Sequence, residues 1–295
     1  MRVLNICASD FANFGHDNAK ALRSVGVDAE CIKLSPHDFK YGDEARIVTA
    51  AQMMEETAHA DLVQIMHSSD HCLKLCKCDR IWIVHTGTPY RINAQGNNAI
   101  FNPRVERTII ALTEFAGLGA VNETYIVGAI DTDKLTPGKT PAKPYVFGHY
   151  PSNAGIKGTA RINECMAGFN YQHSVANVPY VNQLARLMSC DIYIEMFATH
   201  QGSHLYGSWG ITTLECAAMG KIIITNHTTS HVYEQYYGII PPLLLFADSD
   251  GLKAHLNNVS RLSVDKLISL QNKTRNWIVD YHSYKATGET IKKYL

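Results

Sequence analysis

The apolar positions of the chain fall into short β-rich runs separated by amphipathic stretches. "RVLNICA" (2–8) is such a run, and "SDFANFGHD" follows it as a loop. Asn18 to Val25 then reads as a helix stopped by Gly26, ahead of a second strand at 28–34. Strand, loop, helix and strand in that order open a parallel βαβ sheet. Helical sequence around 44–58 leads to strands at 61–66, 81–85 (IWIVH), 108–112 and 124–127. "DTDKLTPGKTPAKPY" (131–145) interrupts the series with three prolines and no apolar period, which reads as an interdomain linker. Strands resume at 145–149, 169–175, 190–194, 221–225 and 242–246, and two helices at 263–281 and 283–294 close the chain. The pattern predicts an α/β protein of two doubly wound, Rossmann-like domains facing across a cleft. Their expected bounds are 1–140 and 145–280, with 281–295 as a C-terminal helix packing back on the first domain. Open parallel sheets bind ligands at the carboxyl ends of their strands, which makes that cleft the expected site.

Within the second half, "GSWGITTLECAAMGKIIITN" (207–226) passes from a loop of small residues, through an apolar helix carrying one carboxylate, into a β-branched strand. The first amides of a helix beginning near Ile211 lack intrahelical partners and sit at the positive end of its dipole, a setting suited to phosphate. Gly207, Ser208 and Gly210 leave room for a ligand beside the backbone. Glu215, about one turn further on, is placed to accept hydrogen bonds from hydroxyls. Phosphate at the helix start and a diol at the carboxylate together describe a nucleotide. The same residues also suit a plain turn followed by a solvent-facing Glu215, and the segment alone leaves both readings open.

Composition narrows the classes. The 295 residues are 46% hydrophobic and 18% charged, with a formal net charge of zero, so no global field points to nucleic acid or membrane. No window is long and apolar enough to span a bilayer. Eight cysteines without a secretory signal read as reduced thiols, which predicts a cytoplasmic protein, in a host cytoplasm if viral. Cys72, Cys76 and Cys78 match no common zinc-knuckle spacing, and Cys72 and Cys76 share a helix face suited to the core, so no metal site is expected. Lys74, Lys77, Arg80, Arg91, Arg104 and Arg107 outnumber Asp79 and Glu106 between 72 and 107, a locally basic stretch that is either a solvated face or a contact for an anionic acceptor. Phe11, Phe14, Tyr90 and Phe101 are candidates to stack on a base or sugar, and Trp82 is expected in the core. No G-x-G-x-x-G follows the first strand, which argues against a dinucleotide dehydrogenase.

"WGITTLECAAMGKIIIT", "FGHYPSNAGIKGT" (147–159) and "IVGAIDTDKLTP" (126–137) together resemble retaining GT-B glycosyltransferases of the family-4 type. The resemblance implies transfer of a sugar from a nucleotide-diphosphate sugar, UDP-linked by preference, with retention and without a metal or other cofactor. It implies that Glu215 binds the ribose, that Lys157 contacts the diphosphate, and that amides around Gly210, Ile211 and Thr212 cradle phosphate or sugar. It places Gly15 beside the donor phosphate and His85 ("HTGTPYR") near the transferred sugar, so His85 and Lys157 are the catalytic candidates. Asp10 and Arg91 are the acceptor-side candidates. The chain departs from the family at Gly207, where a glutamate is expected eight residues before Glu215. A shifted alignment with Glu195 or His204 as substitute, an unusual donor, or a non-catalytic nucleotide-sugar-binding protein each accounts for that departure. The brevity of the chain, "ANFGHDNAKALRSVGVD" and the basic stretch are similar to phage-type enzymes that glycosylate hydroxymethylcytosine in DNA. That resemblance implies DNA as acceptor; the alternative is a surface polysaccharide or lipid-linked glycan.

Overall fold

The protein, seen in a computed structural model that describes residues 1–138, 140–198, 200–207, 209–226 and 229–295, divides into two compact units. The first comprises residues 1–131 and 282–295, the second residues 132–281. The division falls at the start of the stretch read as a linker. That stretch is not a free tether: Thr132, Leu135, Pro141 and Tyr145 are buried. The guanidinium of Arg275 donates to the carbonyls of Thr132, Leu135 and Ala218, which ties its beginning to the second unit.

The first unit is built on a wholly parallel seven-stranded sheet: β1 (Arg2–Cys7), β2 (Asp28–Lys33), β3 (Arg46–Ile47), β4 (Leu62–Met66), β5 (Ile81–His85), β6 (Arg107–Ile110) and β7 (Glu123–Tyr125). The order β3-β2-β1-β4-β5-β6-β7 puts the topological switch between β1 and β4. Every residue of β4 and β5 is buried, as expected for strands covered on both faces. The crossovers are α1 (Phe14–Ser24), α2 (Ala50–Ala58), α3 (Asp70–Leu75), α4 (Gly87–Ile92) and α5 (Ala94–Phe101). Two helix starts differ from the sequence reading. Helix α1 starts four residues before Asn18, because the Asp10 carboxylate accepts from the amides of Gly15 (2.8 Å) and His16 (2.9 Å) and so caps a start that the local pattern does not mark. Helix α2 starts only at Ala50, where Thr49 and Gln52 form a capping box, and Arg46–Ile47 is an edge strand instead.

The second unit holds a parallel five-stranded sheet: β8 (Phe147–His149), β9 (Tyr171–His173), β10 (Ile192–Ile194), β13 (Ile222–Asn226) and β14 (Leu244–Phe246), in the order β14-β13-β10-β8-β9. Its switch lies between β8 and β10. A small antiparallel hairpin, β11 (His200–Gln201) against β12 (His204–Leu205), carries His204. The helices are α6 (Ala154–Lys157), α7 (Thr159–Cys165), α8 (Tyr180–Ser189), α9 (Ile211–Ala218), α10 (Ser230–Tyr237), α11 (Ser249–Arg261) and α12 (Val264–His282). Phe147, Ile162, Ile192, Ile194, Ile222, Ile224, Leu252 and Leu256 form the centre of its core.

The last helix, α13 (Tyr284–Lys292), belongs to the first unit and lies on α1. Tyr284 donates to Asp17 (2.7 Å), Lys292 donates to the Val25 carbonyl (2.9 Å), and Ile130 donates to the His282 carbonyl (2.8 Å). Gly288 sets the closeness of this packing, because a Cβ there would lie 2.2 Å from the Ala21 carbonyl oxygen. Among the described residues, no helix is long and apolar enough to cross a membrane. Gly288→Ala is expected to push α13 off α1 and destabilise the protein by about 1–3 kcal/mol, the usual cost of overpacking. Urea unfolding measures this, and unchanged stability would show that the helix contact is slack.

Candidate functional site

In the second unit the sheet order directs attention to the carboxyl ends of β8 and β10, beside the switch point. Glu195 follows β10 directly and is 1% exposed. Its backbone amide is held by the Ile224 carbonyl at 2.9 Å. Lys157 is the last residue of α6, after β8, and its ammonium is ion-paired with Glu195 Oε1. Gly158 fixes the pair. It adopts φ +66°, and a Cβ there would lie 2.1 Å from the Phe197 carbonyl oxygen. The Phe197 amide in turn donates to the Lys157 carbonyl at 2.8 Å. The Lys-Gly pair is thus pressed onto the segment that follows Glu195, a fit open only to glycine at position 158. His149, buried at the end of β8, braces the same corner through the Ile194 carbonyl (2.8 Å) and the Thr159 hydroxyl (2.9 Å).

Helix α9 begins at this corner. Gly210 is its N-cap residue in an extended conformation, and its amide approaches Glu195 Oε1 at 3.4 Å. Ile211 and Thr212 are the first helical residues and are half-buried. Lys157, Gly210, Ile211 and Thr212 therefore meet at one end of the second sheet. Gly207 is buried, with its carbonyl accepting from Thr229 at 3.4 Å. Ser208 lies outside the described residues.

The two carboxylates of this region have opposite surroundings. Burial works to raise the Glu195 pKa, but the Lys157 charge holds it below its ordinary value. Burial likewise works against the Lys157 charge, and the Glu195 carboxylate overcomes it, raising the ammonium's pKa. Glu215, also buried, has no cation to offset its desolvation. Burial pushes it up to about 7; a hydrogen bond with Tyr180 opposes the rise and the Glu195 charge adds to it. Glu215 is thus enclosed at the start of α8 by Tyr180 rather than turned to solvent.

In the first unit, the candidates gather near the carboxyl ends of β1, β4 and β5. The Gly15 amide is already taken by Asp10, its carbonyl accepts from Asn5 (2.8 Å), and a Cβ would lie 2.9 Å from Cys31 Sγ. Gly15 therefore lies closely packed in the first turn of α1 rather than in a loop. Asp10 is 1% exposed and also accepts from His67 Nε2 (3.0 Å), while His67 Nδ1 meets Thr86 Oγ1 at 2.7 Å. Asp10 is thus committed to capping and to orienting His67. His85 is fully buried, stacked on Tyr90 with ring centroids 3.8 Å apart, and bonded to Ser68 through Nδ1 (2.9 Å). Burial lowers its pKa to about 3. It presents no exposed atom to a sugar. Arg91 is buried against Glu114 (2.6 Å) and over the Phe115 ring.

The basic stretch 72–107 is largely consumed within the unit. Lys74 pairs with Asp70, Arg80 with Glu106, and Arg107 bonds Thr124 between the Trp82 and Tyr294 rings. Cys72 and Cys76 are buried, and the described residues offer one cluster of three metal-type ligands elsewhere, at Cys7, Asp10 and Cys31. Sequence reasoning did not find Tyr180 or the His67–Thr86 link, which no local spacing marks. A signal did exist for the Lys157 partner: in "DIYIE" a carboxylate directly ends a buried strand run.

The Glu215 environment fixes a pH dependence of folding. Its folded pKa stands above the ordinary carboxyl value of 4.5, so between those values the folded state holds more protons than the unfolded one. Stability from this group is then lost as pH rises through that window. Glu215→Gln is expected to gain stability relative to the parent protein on going from pH 5 to pH 8, by on the order of 2–3 kcal/mol. Urea denaturation of both proteins at the two pH values reads this; a pH-independent difference would mean that Glu215 titrates normally.

No protein-family model matches the chain, and no curated protein matches it in sequence. Its fold does match solved structures. HepE (Alr3699) of Anabaena, in complex with UDP and glucose, aligns over 100% of this chain and 99% of its own at a TM-score of 0.71 and 12% identity. An alpha-glucosyltransferase in complex with UDP and a 13-mer DNA containing a HMU base aligns over 100% of this chain and 98% of its own at a TM-score of 0.73 and 9% identity. A glycosyltransferase of Rickettsia africae aligns over 99% and 97% at a TM-score of 0.63 and 12% identity. Two parallel Rossmann-like sheets in one chain, matched end to end by these glycosyltransferases, give the protein the GT-B fold.

Proposed function

We propose that the protein is a retaining glycosyltransferase that moves a sugar from a UDP-sugar to an acceptor hydroxyl. The observation that carries this reading is the meeting of Lys157 with the first amides of α9 at the switch point of the second sheet, one helical turn from Glu215. An ammonium and helix-start amides suit the charge that develops on a departing diphosphate. A buried carboxylate suits the two ribose hydroxyls. The same fold in HepE and in the alpha-glucosyltransferase holds UDP or UDP-glucose, which supports a UDP donor here. Charge stabilisation in this scheme comes from the protein's own cation and amides, with no metal assigned a role.

For the acceptor we propose hydroxymethylcytosine in DNA. Support comes from the DNA-bound alpha-glucosyltransferase and from an aromatic group after β1 and β2. Phe11 is 57% exposed, meets His37 and His67 edge-on, and His37 also contacts Phe39 and Tyr41. Such a group offers stacking faces to a base turned out of the helix. The internal pairing of the 72–107 cations favours a second reading, in which the acceptor is an uncharged glycan hydroxyl.

Calorimetric titration with UDP and UDP-glucose in EDTA tests the donor site, with saturable binding expected. Glu215→Gln is expected to weaken UDP-glucose binding by about 1–3 kcal/mol, the scale of a hydrogen bond to a charged group. Because hydroxyl donors favour the ionised carboxylate, the parent protein should bind UDP-glucose more tightly as pH rises from 6 to 8. Binding that is flat with pH and unchanged in the variant would remove Glu215 from the donor site. DNA as acceptor predicts an affinity for hydroxymethylated duplex that falls steeply between low and physiological salt. Absence of DNA binding together with sugar transfer to a glycan would decide for the second reading.

A further inference from the structure

We infer that Glu195 is the donor-specificity residue of this site, occupying the anion position in the free protein and passing to the hydroxyls of the transferred sugar when a UDP-sugar binds. The inference rests on the UDP-sugar reading above and addresses a feature that reading leaves open, the absence of a carboxylate at Gly207.

The geometry sets up a competition. Glu195 Oε1 already accepts from the Lys157 ammonium and lies at hydrogen-bond distance from the Gly210 amide. These are two of the donors that a diphosphate at the start of α9 needs. A carboxylate and a phosphate cannot share them without strong repulsion between buried like charges. The diphosphate must therefore take them from Glu195. That leaves a carboxylate only 1% exposed without its cation, a state costly enough to decide which ligands bind.

The second oxygen shows where the relief comes from. Glu195 Oε2 is buried with the Thr213 hydroxyl, two residues before Glu215 on α9, as its neighbour, and neither group makes a well-formed hydrogen bond to any other of the described residues. Two adjoining polar groups with unused capacity, an acceptor and a hydroxyl able to donate or accept, match a ligand that brings hydroxyls. UDP alone brings a diphosphate and its ribose, but no hydroxyls of a transferred sugar. It displaces Glu195 from Lys157 and offers nothing in return. UDP-glucose displaces it and supplies hydroxyl donors to the freed carboxylate. Glu195 thus penalises the bare nucleotide and favours the sugar-bearing one, which sets the order of donor over product at this site.

The test is calorimetric titration of the parent protein and of Glu195→Gln with UDP and with UDP-glucose. In the parent protein UDP-glucose is expected to bind more tightly than UDP. In Glu195→Gln the amide no longer competes as an anion, so UDP is expected to bind at least tenfold more tightly while UDP-glucose gains little, collapsing the preference by tenfold or more. Glu195→Asp, which keeps the charge on a shorter arm, supplies a second variant should the glutamine protein fail to fold, and it is expected to lose part of the preference. If the parent protein binds both ligands and neither variant alters the ratio of their affinities, the role of Glu195 is overturned and the donor site stands. If the parent protein binds neither ligand, the donor reading itself falls and the inference falls with it.

Discussion

The buried ion pair between Lys157 and Glu195 is the interaction on which the candidate site depends. Removing two charges from water is costly, and such a pair persists only where geometry and further hydrogen bonds return the cost. Here backbone contacts bring the two residues together. Gly158 is pressed on the Phe197 carbonyl, Phe197 donates back to Lys157, and Ile224 holds the Glu195 amide. These contacts fix the backbone of the corner at the ends of β8 and β10. A fixed backbone keeps helix-start amides aimed without reorganising.

Glu195 and Glu215 show how a single cation divides two nearby carboxylates. Both are buried, and burial pushes both toward the neutral form. Lys157 reverses that push for Glu195, whereas Tyr180 only moderates it for Glu215. One carboxylate is then favoured as an anion and the other changes charge near neutrality. The N-terminal unit uses its polar groups differently. His67 bonds both Asp10 and Thr86, and Ser68 holds His85. His67 and Ser68 adopt φ of +61° and +55° to do so, a backbone cost accepted at the carboxyl end of β4 beside the switch point.

Much of the fold was legible in the chain. Strands such as "IWIVH" and "KIIIT" are continuous apolar runs of the length that buried parallel strands require, and they recur with helices between them. What local sequence missed was the work of distant partners. Helix α1 begins early because Asp10 caps it from five residues upstream of Gly15. The 131–145 stretch has linker composition, yet its first part is anchored by Arg275, more than a hundred residues away. Lys74, Arg80 and Arg91 read as a basic face; Lys74 pairs one helical turn back with Asp70, and Arg80 and Arg91 pair with Glu106 and Glu114, which periodicity does not connect to them.

The sequence by itself determined the elements, their parallel arrangement and the segment around Gly210 and Glu215, because these follow from the period of apolar residues and from the unpaired amides of a helix start. Tertiary structure decided which polar groups are enclosed and what each of them is bonded to. Gly15, Asp10, His85 and Arg91 have the residue types of a site, and packing encloses them within the first unit. Glu195 and Lys157 are 38 residues apart and carry no shared motif, and they become a pair only because β8 and β10 are neighbours in the sheet. Charge, burial and protonation are properties of that adjacency, which the order of residues along the chain does not contain.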